Sequence, residues 1–347
     1  MRIDIGTETR NGYMSYELAK TVRKLVEQVF PIHPGEDVAI TADTASDSRV
    51  VNATAEAIFA LGAHPVVIWY EALPEAAGSP PAPVAAALRA AQAWIEFAPP
   101  YLLHGPAHRE ALKAGCRFLC MTAMDVDGII RTVGQQDHVL LAELENALRS
   151  LSQAGKTVRI TTPEGTNLVV QVAEAAPQMA QKPAPGMGFT QFPPGASGFN
   201  HELDTVEGTL VFDGAIFPPK GIGVLEAPVV MEVTGGFVRS VKGGPQAKLY
   251  KRWLASWNNP LMFQIAHFSY GCNPGIRRCS GRSAEDARVF GSLDIGLGIT
   301  SQGAPTHSDG VVLNPTLWVD KNMLEEEGEY VHPELVAICK KLGVSGY

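Results

Sequence analysis

Cysteine is scarce in this chain. The five present, Cys116, Cys120, Cys272, Cys279 and Cys339, are odd in number and lack the C-x-x-C spacing of zinc ribbons, which argues against a disulfide framework and a thiolate zinc site. As small buried side chains they need no function. An excess of basic residues is also missing: 28 Lys and Arg face 36 Asp and Glu, a formal net charge of −8. Such a chain has no field that draws phosphate backbones or anionic lipid, so nucleic acid is not an expected partner. No stretch approaches the ~18–20 uninterrupted apolar residues of a membrane span. Met1 to Arg10 is polar and has no apolar h-region, so a cytoplasmic protein is expected. Glycine (34) and proline (25) are frequent but mark turns, and no fixed-period repeat appears. What remains is 46% hydrophobic and 18% charged, rich enough in apolar side chains to bury a core. A length of 347 residues suits two packed domains of ~100–200 residues each.

The first half alternates between two periodicities. Leu18, Val22, Leu25, Val26 and Val29 share one helical face within Met14 to Phe30, and the turn at Pro34-Gly35 leads into the apolar run Val38 to Ile40. Helices are expected at Ser48–Leu61, Pro83–Gln92 and Pro106–Ala114, with strands at Pro65–Tyr70, Trp94–Phe97 and Arg117–Met121. Strands separated by helices of this length call for a parallel sheet. After a helix over Asp137–Ala154 the pattern changes to a hairpin, Thr157–Thr162 and Asn167–Ala173, joined by Pro163-Glu164-Gly165. The stretch Pro177 to Gly198 is too irregular for helix or strand and carries Phe189 and Phe192, the composition of a loop lining a site. Short strands follow at Thr209–Phe212, Pro228–Val233 and Phe237–Val241, with helices at Gln246–Trp257 and Ser283–Phe290. The fold class expected is α/β: a parallel-sheet α/β domain over residues 1–155, then an α+β metal-binding domain over residues 156–347.

The strongest local signal for chemistry is Thr306-His307-Ser308-Asp309. In an extended chain residues i and i+2 project to one face, so His307 and Asp309 can reach one metal ion. The pair alone is a weak motif and fits better a histidine and an aspartate tying down a Pro/Gly-rich turn. A third donor in the same domain would favour the metal, and His267, Glu226 and Asp294 are the candidates, each polar in an apolar setting. Two imidazoles and one carboxylate suit a non-haem Fe(II) site with open positions for substrate and O2. Three ligands suit a catalytic zinc as well. Among the other histidines, His33, His64, His138 and His332 read as surface residues, His108 as helical surface, and His201 is open. His104 follows an apolar run and precedes a helix start, the end of a strand where α/β proteins present functional side chains.

Five segments carry a family resemblance: HGPAHREALKAG from His104, EGTLVFDGAIFPP from Glu207, GGFVRSVKGG from Gly235, AHFSYGCNP from Ala266 and THSDGVVLNPTLWVDKN from Thr306. In order and spacing the chain resembles the iron-dependent 2,5-dihydroxypyridine 5,6-dioxygenases and, more distantly, metallo-aminopeptidases of the aminopeptidase T type. The resemblance implies Fe(II) held by His267, His307 and Asp309, and proton transfer at His104. A second active-site histidine of that family falls on Gln191, a departure that points to a different ring substituent on the substrate. Phe189, Gln191 and Phe192 would then give stacking and one polar contact. The aminopeptidase pattern matches Glu226, His307 and Asp309, but its second Glu falls on His267 and its other His on Asp294. The expectation is ring opening of a hydroxylated, pyridine-like N-heteroaromatic by O2 in a homo-oligomer. The alternative is a metal-dependent hydrolase of amides using Zn or Mn, with Glu226 and Asp294 at a second metal.

Overall fold

The structure of the protein is a computed structural model that describes residues 12–74, 76, 78–174 and 186–347. The chain packs into two compact units, one of Met1–Pro74, Gly78–Gln136 and Ala184–Pro193, the other of Glu75–Ala77, Asp137–Pro183 and Pro194–Tyr347. The boundary expected at residue 155 therefore falls at Asp137 instead. The helix His138–Gln153 buries Leu141, Leu144 and Leu148 in the core of the second unit, so its amphipathic face assigns it there, whatever its place in the α/β rhythm. Ala184–Pro193 returns to the first unit, because its strand completes the sheet there.

The first unit is a five-stranded parallel sheet in the order His64–Tyr70, Asp37–Asp43, Ala93–Glu96, Arg117–Cys120, Thr190–Gln191. Both faces of its inner strands are covered, with every residue of Ala93–Glu96 and every residue of Asp37–Asp43 after Asp37 buried, as a parallel sheet between helices requires. The connecting helices are Ser48–Ala60, Ala82–Ala90 and Pro106–Lys113. The first starts where the Asp47 carboxylate accepts the Arg49 N–H, and it is followed by Gly62 at φ 80°, a left-handed stop that glycine adopts without strain. The expected helix Met14–Phe30 is α-helical only over Ser15–Lys24 and continues as a wider π turn, Leu25–Val29.

The second unit holds two antiparallel sheets. One has six strands in the order Gly223–Val224, Ala215–Phe217, Ser308–Leu313, Ser292–Leu297, Ile265–Gly271, Ala196–Phe199. The other has eight, in the order Phe237–Gly243, Val229–Thr234, Glu207–Phe212, Asn167–Gln171, Thr157–Thr161, Thr316–Val319, Asn322–Glu326, Glu329–Tyr330. The expected hairpin forms between Thr157–Thr161 and Asn167–Gln171. Asn167–Gln171 alternates exposed and buried residues, so Leu168 and Val170 enter a core shared with Phe212, Phe268, Leu293 and Ile295. The helix expected at Ser283–Phe290 is a single turn, Ser283–Asp286. Of the irregular stretch 177–198, residues 177–185 lie outside the described residues; the rest contributes Thr190–Gln191 to the parallel sheet and Ala196–Phe199 to the six-stranded one. Cys116, Cys120, Cys272 and Cys339 are buried and Cys279 half-buried, all as free thiols.

Candidate metal centre

Three neighbouring strands of the six-stranded sheet build the site. Gly296, on Ser292–Leu297, pairs with His267 on one side and with Asp309 on the other. Paired strands lie ~4.8 Å apart, so His267 and Asp309 flank a position that has no side chain. A Cβ at Gly296 would stand 2.4 Å from the His267 ring and 2.6 Å from the His307 ring, distances no neighbour tolerates. The absent side chain lets the two imidazoles stack, with centroids 5.0 Å apart and planes inclined by 23°. Ligand atoms of His267, His307 and Asp309 lie within 4.8 Å of one another, a spacing one metal ion can bridge.

Hydrogen bonds fix how these groups face each other. His307 Nδ1 donates to the Gly298 carbonyl at 2.8 Å, so in the neutral ring Nε2 carries a lone pair. That Nε2 stands 3.0 Å from Asp309 Oδ1. Two electron-pair donors at this distance need a proton or a cation between them. With a proton as the bridge, burial opposes the charge, yet Asp309, the Gly298 carbonyl and Asp294 outweigh it and push His307 up to about 9. A metal-ligating histidine whose other nitrogen donates to a backbone carbonyl is the usual arrangement at such sites. Ser308, between His307 and Asp309, donates to the Pro218 carbonyl at 2.6 Å and accepts from Tyr250 at 3.1 Å, which anchors the strand start.

Asp294, two residues from Gly296 and on the same face, places Oδ2 3.2 Å from His267 Nε2. Its Oδ1 is buried with no hydrogen-bond partner. Burial and the Asp309 charge push its carboxyl up, with His267 acting against them. His267 is the open edge of the group, with 35% of its side chain exposed against 5% for Asp294. Charged and orphaned oxygens beside two imidazoles fit a divalent cation. Glu226 is exposed, and its N–H donates to Gln246 Oε1. Among the described residues the only cluster of metal-type donors is His267, His307 and Asp309.

The remaining expected residues belong to the first unit. His104 lies past the strand Ala93–Glu96 with φ 65°, and its N–H donates to His108 Nδ1 at 3.3 Å. His108, expected on the helical surface, is buried instead, because the first turn of its helix packs on Phe118 and Trp94. Burial and the Arg109 charge lower its pKa to about 4. Gln191 donates one Nε2–H to the Val29 carbonyl at 2.5 Å. Phe189 and Phe192 are half-buried, and the Phe189 carbonyl accepts the Phe118 N–H. His201 is buried with its ring edge-on to Phe268 at 4.9 Å. Gly296 and Gly298 escaped the reading of the sequence; the alternation Asp294-x-Gly296 was the available signal, but its meaning needs the strand register.

Residues 18–332 match the family described as NicX, 2,5-dihydroxypyridine 5,6-dioxygenase. A 2,5-dihydroxypyridine 5,6-dioxygenase of Pseudomonas putida is 24% identical over 253 residues, 67% of this chain and 69% of that protein. The solved structure of 2,5-dihydroxypyridine dioxygenase from Pseudomonas putida KT2440 superposes with a TM-score of 0.71 at 21% identity, covering 92% of this chain and 99% of the other. AmpT from Thermus thermophilus, an aminopeptidase T, has the same fold, with a TM-score of 0.64 at 14% identity over 92% and 100% of the two chains. With the match spanning nearly the whole chain, this protein belongs to the 2,5-dihydroxypyridine 5,6-dioxygenase family.

Proposed function

We propose that the protein is an Fe(II)-dependent dioxygenase that opens the ring of a hydroxylated, pyridine-like N-heteroaromatic, with His267, His307 and Asp309 as iron ligands. One observation carries the reading: His307 Nε2 faces Asp309 Oδ1 at 3.0 Å while its Nδ1 is committed to Gly298. Two imidazoles and one carboxylate form the donor set of non-haem Fe(II) oxygenases, where the ion supplies an electron path between an electron-rich ring and O2. The chain's own residues do the rest. Gly298 holds the His307 ring in the tautomer that presents Nε2, and Asp294 Oδ2 lies 3.2 Å from His267 Nε2, adding negative charge beside the donors. Proton transfer at the ring hydroxyl is assigned to the His104 imidazole, general acid/base work that contributes roughly 10²–10⁴-fold. Stacking and one polar contact are assigned to Phe189, Phe192 and the Gln191 amide.

The test combines loading and turnover. Metal-free protein given Fe(II) and 2,5-dihydroxypyridine or a ring-substituted relative should consume O2 as the aromatic absorbance disappears. Hydrolysis of an amide with Zn or Mn and no O2 uptake would turn the reading to a metal hydrolase. His307→Ala should lose its tightly bound metal; a full equivalent retained would overturn the ligand assignment.

A further inference from the structure

His104 is the only site residue proposed above whose backbone adopts a conformation its own chemistry disfavours. A φ of 65° puts a residue with a Cβ in the left-handed region, which persists only where surrounding contacts hold it. Several contacts within the first unit do so. Upstream, the buried Glu96 carboxyl group accepts the Leu102 N–H at 2.6 Å, and the Gly105 N–H closes a turn onto the Leu102 carbonyl at 2.9 Å. The guanidinium of Arg109 donates to the His104 carbonyl. The His104 N–H is taken by His108 Nδ1 at 3.3 Å, and His108 Nε2 lies 2.9 Å from Thr190 Oγ1.

These contacts decide the state of His108. A main-chain N–H can only donate, so Nδ1 is an acceptor and the neutral ring carries its proton on Nε2. Nε2–H then donates to the Thr190 hydroxyl. The ring sits against Phe118, with centroids 4.8 Å apart, and cannot turn without giving up both bonds. Thr190 belongs to a strand paired with Phe118–Leu119, so the His104 main chain is tied through one imidazole to the sheet itself.

We infer that His108 is a positioning residue for His104: held as the Nε2–H tautomer between the Thr190 hydroxyl and the His104 N–H, it fixes the left-handed backbone that presents the His104 imidazole. The inference rests on the reading of His104 as the proton-transfer residue. It assigns His108 no contact with substrate and no proton to move.

The experiment uses the Fe(II)-loaded full chain with 2,5-dihydroxypyridine as probe. His108→Leu keeps the bulk of an apolar-packed ring but removes the acceptor; kcat should fall about tenfold or more, since small misplacements of a catalytic group cost up to ~10²-fold. KM and iron content should stay within about twofold. His108→Asn, which can return an acceptor to the His104 N–H, should recover most of the loss. The double variant His104→Ala/His108→Leu should be no slower than His104→Ala alone, because a residue acting only through His104 has nothing left to position. Additive losses, no rescue by Asn, or unchanged kcat in His108→Leu would overturn the inference. Two further measurements stand if His108→Leu fails to fold. Thr190→Val should lower kcat in the same direction, and ¹⁵N shifts of the wild-type ring should report Nε2–H; a Nδ1–H tautomer would overturn it. A fully active His104→Ala would instead bring down the reading of His104, and the positioning role with it. An impaired His104→Ala beside an unaffected His108→Leu would remove the positioning role alone.

Discussion

Glu96 shows what one buried carboxyl does to pH dependence. It ends the strand Ala93–Glu96, is wholly buried, and is pushed up to about 8, first by burial and against the Leu102 and Leu103 N–H groups that bond it. The folded state therefore holds a proton that the unfolded chain releases near the ordinary value. Between those two values the native state binds more protons, so stability falls as pH rises. The contribution is complete below the unfolded pKa and is lost as pH climbs toward about 8. Glu96→Gln keeps an acceptor for Leu102 and has no proton to lose. Urea unfolding of both proteins at pH 5 and pH 8 should show the variant gaining on wild type by about 2–4 kcal/mol at the higher pH. Parallel pH dependences would mean that Glu96 carries its charge without penalty. Residue type alone misplaced His108, since a histidine in a short polar helix reads as surface; its burial follows from Trp94 and Phe118 standing opposite.

At the scale of elements, the site depends on three strands keeping register. His267, Gly296 and Asp309 stand in one row across the sheet, and the row works because its middle member has no side chain. Gly296→Ala would place a methyl group 2.4 Å from one imidazole and 2.6 Å from the other. Overpacking of this kind costs ~1–3 kcal/mol, and here the rings must part to relieve it. The variant should therefore stay folded, with iron affinity reduced at least about tenfold when measured by competition with a chelator. Unchanged affinity would show that the rings are not held together by this gap. The Asp309 strand is pinned separately, by Ser308 to Pro218 and by Tyr250 to Ser308, so His307-Ser308-Asp309 is a strand start fastened between its two candidate donors.

For the whole molecule, the chain's path between units decides how it can be cut. A fragment beginning at residue 156, the boundary that the change of periodicity suggests, omits His138–Gln153 and its buried Leu141, Leu144 and Leu148. Each such side chain contributes ~1.5–3 kcal/mol on burial, and a domain's net stability is only ~5–15 kcal/mol. Residues 137–347 should give a cooperative thermal transition, whereas 156–347 should not. A cooperative transition in the shorter fragment would show that the helix is dispensable to the core. No described helix is long and apolar enough to cross a membrane, in keeping with the short apolar runs of the sequence.

The sequence by itself determined most of the element order and offered the candidate donors. Alternating helical and strand periods announced a parallel sheet, and the hairpin near Thr157 announced the antiparallel part, because local hydrophobic period reflects which faces are buried. His307 and Asp309 were legible because an i, i+2 pair shares a face whatever else the chain does. Only the tertiary structure decided the rest. His267 lies 40 positions before His307 in the sequence, and nothing local says that Gly296 stands between them. Cross-strand register is set by pairing over long sequence separations, so the space between the rings, the commitment of His307 Nδ1 to Gly298, and the link from His104 through His108 to Thr190 exist only once the strands have met.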